Sequence, residues 1–135
     1  MNVDSRFGEA REIAYFVLRV VSGFLMMQSG AVIVFGWFGG MPGGAKFQLM
    51  TQTGIGGVIE FFCALLVMIG LLTRPAALVL SGTMAVAYFQ FHQPNGRWPL
   101  QNMGLPAVLF SFIFLYIAAA GAGRWSVDSQ IAHRR

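Results

Sequence analysis

Glu60 is the residue of this sequence whose type and setting point most directly to chemistry. It stands in a stretch, Gly54 to Leu72, that carries no other charge. A run of about 19 apolar residues is long enough to cross a bilayer as a helix. A carboxylate inside it costs a few kcal/mol or more unless partnered, which marks it as a functional candidate. Three further groups offer themselves as partners: Arg19, Tyr88 and His92. In one arrangement Glu60 exchanges a proton with a bound carbonyl, His92 or Tyr88 supplies a second hydrogen bond, and Arg19 stabilises charge. In the other, Glu60 is a structural hydrogen-bond hub or reaches solvent, and His92 is an interfacial polar residue. Arg19 then snorkels to the membrane surface. Glu60, Tyr88 and His92 are too few ligands for a metal centre, so none is expected.

These residues need a scaffold, and composition indicates which solvent surrounds it. Of 135 residues, 56% are hydrophobic and only 10% charged, with mean hydropathy +0.65. A soluble domain carries about 25% charged residues, so the missing polar surface implies lipid. The net charge is +4, but the basic residues are scattered singly at segment ends, which argues against nucleic acid and for membrane flanks. The single cysteine, Cys63, excludes an internal disulfide and a C-x-x-C pair, and reads as a small packing residue. The charged start, Met1 to Glu12, does not read as a cleaved leader.

Four apolar segments are expected as helices, at about 13–38, 54–72, 76–91 and 105–122, forming one all-α, transmembrane four-helix bundle. Gly39-Gly40-Met41-Pro42-Gly43-Gly44 breaks the first, Thr73-Arg74-Pro75 turns the second into the third, and His92 to Pro99 is a polar loop. The tail, 126–135, is polar and expected to fray. Strand alternation is absent, which sets aside a β-barrel. With both termini inside, the cytoplasmic side holds Arg6, Arg11, Arg74, Arg124, Arg134 and Arg135, against Lys46 and Arg97 outside. This supports an N-in, C-in, multi-pass protein of the bacterial inner membrane.

The 3.6-residue period places Arg19, Gly23, Met26, Gly30 and Trp37 on one face, and Gly56, Glu60, Cys63, Val67 and Gly70 on another. Ser81, Ala85, Tyr88 and His92 line up on the third segment. Small residues let helices approach closely in lipid, so Gly23, Gly30, Gly56 and Gly70 are expected at helix contacts, with Arg74 a structural residue of the turn. An Arg19–Glu60 ion pair must span roughly 12 Å of depth. His92 is nearer to Glu60 in depth, as is Gln28, which points off the glycine face.

The motifs Arg19-x-x-x-Gly23-Phe24-Leu25-Met26-Met27-Gln28-x-Gly30, Gly56-Gly57-Val58-Ile59-Glu60 and Gly70-Leu71-Leu72-Thr73-Arg74-Pro75 resemble the DoxX family of small four-helix membrane proteins. Ser81-Gly82-x-Met84-Ala85-x-Ala87-Tyr88-Phe89 and Trp125-Ser126-x-Asp128 extend the likeness over almost the whole chain. The resemblance implies a transmembrane bundle and a loose link to membrane oxidoreduction, such as subunits of thiosulfate:quinone oxidoreductase. It allows a quinone, with no covalently held cofactor. Members usually carry His, Lys, Glu and Glu where this chain has Ser29, Ile33, Thr83 and Leu105. This thinning of ionisable groups favours a non-catalytic accessory subunit of a larger redox or photosynthetic complex, partnered by other membrane subunits. The alternative is a quinone-linked oxidoreductase or lipophilic-ligand-binding protein that uses Glu60, Tyr88 and His92. A transporter is less well supported, because broken helices in paired repeats are missing.

Overall fold

A computed structural model of the chain describes residues 3–134, which form five α-helices and no strand among the described residues. The first helix, α1 (Val3–Phe35), is 33 residues long, or about 50 Å at 1.5 Å per residue. It begins well before position 13 because Arg6, Glu9, Arg11 and Glu12 are ordinary helix formers that hydropathy alone does not register. Gly36, with φ 69°, ends it, so Trp37 and Phe38 belong to the following loop.

Helix α2 (Gln52–Ile69) starts two residues earlier than its apolar run, because the Thr51 hydroxyl caps it by accepting from the Gly54 N–H at 3.0 Å. Its end is set by Gly70, whose left-handed φ of 77° lets its N–H reach Leu66 O at 2.9 Å. Helix α3 (Thr73–Ala87) follows at once, and a single π-turn, Tyr88–His92, widens its last turn. Helix α4 (Leu105–Ala120) carries Pro106 in its first turn.

Two of these helices are long and apolar enough to cross a membrane, α1 over Arg6–Phe35 and α2 over Gln52–Ile69, and α4 is apolar but shorter. Their outer faces carry large exposed apolar groups, among them Val21, Phe24, Phe62, Leu78, Leu109 and Phe112. An aqueous surface would rarely tolerate such faces.

Neighbouring helices run antiparallel. Gly23 of α1 lies against Ala64 and Met68, and Gly30 against Gly57 and Phe61. Helix α3 meets α4 through a reciprocal clasp: the Ser81 hydroxyl donates to Ser111 O at 2.7 Å and the Ser111 hydroxyl to Ser81 O at 3.1 Å. The core runs through Met26, Ala64, Val67, Ala77, Leu80 and Phe114. Helices α1 and α4 barely touch.

The link between them comes from the chain end. The tail does not fray: Ser126 caps a short helix, α5 (Val127–His133). Asp128 fixes α5 to the start of α3, accepting from the Leu72 N–H at 2.9 Å, the Thr73 N–H at 3.1 Å and the Thr73 hydroxyl at 3.0 Å. The Asp128 N–H donates to Gly70 O at 2.9 Å. Partial burial pushes the Asp128 carboxyl up, but these three donors and the nearby Arg19 charge outweigh it and hold it below the ordinary carboxylate range. A carboxyl depressed by folding stabilises the fold above its unfolded pKa, and that contribution is lost as pH falls through its folded value. The stability advantage of the native chain over Asp128→Ala is therefore expected to be full above about pH 4 and to shrink below it. Thermal midpoints in detergent across that range measure it, and a gap independent of pH would refute the assignment.

Candidate functional site

Glu60 occupies the middle of α2 and is buried, with 7% of its surface exposed. Its partner is Ser29 of α1, whose hydroxyl donates to Glu60 Oε2 at 2.8 Å. Ser29, rather than His92 or Arg19, is the residue that holds the carboxyl. Among the described residues no donor reaches Glu60 Oε1.

Arg19 does not pair with Glu60. The helix register sets it beside Gly70, so close that a Cβ on Gly70 would overlap the guanidinium. Gly70 is ten residues along α2 from Glu60, about 15 Å. Nor does Arg19 snorkel to water, since only 1% of its surface is exposed. It donates from Nη1 to Ala122 O at 2.6 Å and from Nη2 to Trp125 O at 2.7 Å. Carbonyls at and beyond a helix C-terminus lack intrahelical donors, and a buried cation is well suited to them. Tyr15 donates to Gly121 O at 2.5 Å, and Arg74 to Ala118 O at 3.0 Å and Ala119 O at 2.5 Å. Arg19, Arg74 and Tyr15 thus finish α4 and its C-terminal turn.

A cavity of about 540 Å³ opens between α2 and α3, with Glu60 in its wall. Glu60 and Gly82 face each other because each lies nine residues from its end of the α2–α3 connection, Ile69 and Thr73. The other polar groups of the wall are Gln52, Thr53, Thr83 and His92, and the remainder is mainly apolar. The π-turn carries His92 into the cavity lining, and π-turns recur at functional sites. His92 does not bond Glu60; its Nδ1 lies 3.1 Å from Asn102 O. Tyr88 is outside the lining and meets Asn102 Nδ2 at 3.4 Å. Gly56, expected at a helix contact, faces open space in this cavity, as does Gly82, whereas Gly57 makes the close approach to Ile33. The period sets Gly56 and Glu60 on one face, but that face lines the cavity, while Gly57, about 100° around the helix, takes the contact.

Of the four positions that the resemblance sets apart, Ser29 holds Glu60, and Ile33 and Thr83 line the cavity. Leu105 starts α4 away from it. Three of the four therefore surround Glu60 or its cavity. Asn102 escaped sequence reading. It is buried, and its side chain donates to Gly96 O at 3.0 Å and accepts from the Gly104 N–H at 2.9 Å, which shapes the loop under His92. Its place two residues before Gly104, in a loop that also carries Asn95, was the only signal. Among the described residues no three His, Cys, Asp or Glu side chains come together as a metal site.

Comparison with known proteins decides the lineage. The DoxX family pattern matches residues 14–93. The chain belongs to the DoxX family. An uncharacterized protein of Haemophilus influenzae is 35% identical over 121 residues, covering 86% of this chain and 90% of that one. An uncharacterized membrane protein of Mycobacterium tuberculosis is 30% identical over 88 residues, 58% of this DoxX chain and 54% of its own length. No solved structure matches. The sequence match and the apolar helices together make this DoxX chain a membrane protein.

Proposed function

We propose that this chain is an integral membrane protein that binds a lipophilic, ring-bearing ligand of the quinone class in the Glu60 cavity. The observation that carries the reading is the setting of Glu60, buried in the wall of a largely apolar cavity of about 540 Å³ with one carboxyl oxygen left without a donor. Small-molecule sites are typically apolar cavities of this order with a few placed polar groups. Oε1 can accept a hydrogen bond or, when protonated, give one to a ligand carbonyl. Arg19 takes no part in this site.

In this reading α1 to α4 form a single transmembrane four-helix domain in a bacterial inner membrane. Antiparallel packing puts Arg6, Arg11, Arg74, Arg124 and Arg134 toward one end and Lys46 and Arg97 toward the other. That supports N-in, C-in topology. An accessory role in a larger redox or photosynthetic complex is the second reading. Its support is the apolar outer face of α4, where Leu109, Phe112 and Tyr116 are exposed, and acyl chains cover such a face equally well.

The chain purified alone in mild detergent is expected to retain a quinone-class lipid, identified by solvent extraction and mass spectrometry. Glu60→Gln is expected to weaken its binding about tenfold, the scale of one well-placed hydrogen bond. Stoichiometric co-purification of a second membrane subunit, with no ligand held by the isolated chain, would move the assignment to the accessory role.

A further inference from the structure

Three of the cavity's polar side chains, Thr83, Gln52 and His92, already bond within the protein, while among the described residues the Thr53 hydroxyl and one Gln52 amide hydrogen have no partner. The Thr83 hydroxyl donates to Val79 O at 2.9 Å, which leaves only its lone pairs toward the cavity. Gln52 Nε2 donates to Gln90 Oε1, so one of its amide hydrogens is occupied and its own oxygen is free. His92 Nδ1 faces the carbonyl oxygen of Asn102. A carbonyl only accepts, so Nδ1 carries the hydrogen, and the neutral ring is left with a bare Nε2. Glu60 takes the Ser29 hydroxyl on Oε2 and has Oε1 available to either kind of partner.

Resting on the ligand reading above, we infer that the cavity selects the hydroxyl-bearing, reduced form of its ligand, a hydroquinone, over the oxidised dicarbonyl form. A quinone offers acceptors alone and would set its carbonyls against Thr83 Oγ1 and His92 Nε2, which also accept. A hydroquinone offers two O–H donors to those same atoms. Glu60, Thr53 and Gln52 can meet either form, so discrimination falls to Thr83 and His92. Gly56 and Gly82, where a Cβ would meet nothing within 4 Å, leave room for the ring between α2 and α3.

The test uses the full chain in lipid nanodiscs at mildly alkaline pH. A short-chain 1,4-benzohydroquinone kept anaerobic, the matching benzoquinone, and the hydroquinone dimethyl ether are titrated by calorimetry. The hydroquinone is expected to bind about tenfold more tightly than the quinone, and the ether, which has no O–H, no better than the quinone. His92→Phe should remove most of that preference while keeping quinone affinity, and His92→Gln, which retains an acceptor, should restore part of it. Equal or tighter quinone binding by the native chain overturns the inference and leaves the ligand reading standing. So does a preference unchanged in His92→Phe. Failure of every probe to bind removes both.

Discussion

Arg19→Met should lower the unfolding free energy by about 2–5 kcal/mol, because it leaves two carbonyls without donors in a site closed to water. Ala122 O and Trp125 O receive the two Arg19 bonds, and the residue is 1% exposed. Methionine preserves much of the volume and removes all the donors, so packing changes little and the polar loss dominates. Arg74→Met removes bonds to carbonyls of the same helix end from an exposed site, where water replaces them, and should cost well under about 1 kcal/mol. Unfolding in graded denaturing detergent, followed by helical signal, measures both. Equal effects would mean that burial at position 19 is not what gives the bonds their weight.

Gly30→Ala should disrupt the α1–α2 contact at a cost of about 3 kcal/mol or more. A Cβ there meets the backbone of Phe61 and lies 2.7 Å from Gly57 O. Neither atom belongs to a flexible side chain, so the two helices must separate along their length. Gly56→Ala is the informative contrast. Its Cβ enters open space, and the substitution should be neutral or slightly stabilising through helix propensity. Thermal midpoint and monodispersity in detergent separate the two, and a stable, monodisperse Gly30→Ala protein would contradict the close packing.

The apolar runs and their Gly and Pro boundaries made the main helices readable, since hydrophobic length and chain breakers act locally. The ends were less readable where they depend on caps or charged turns. Thr51 extends α2 by a side-chain bond, and α1 reaches back through Arg6 to Glu12. The tail was misread because its order comes from Asp128 docking on Leu72 and Thr73, more than fifty positions away. Glu60 stood out from its setting alone. Its partner did not, because a lone serine in an apolar helix has no distinguishing pattern. The Arg19 acceptors are backbone oxygens, which have no side-chain signature, so pairing by charge pointed to Glu60 instead.

The near absence of contact between α1 and α4 gives the molecule unequal ends. Where Arg19, Tyr15, Arg74 and Asp128 meet the last turns of the chain, it is pinned from several sides. At the opposite end, around His92 and Gln52, the helices are joined by loops, by the Gln52–Gln90 amide pair and by the bonds of Tyr88 and His92 to Asn102. The asymmetry leaves α1 and α2 closely joined at the Glu60 level, through Ser29 and Gly30, while α2 and α3 stand apart there around the cavity.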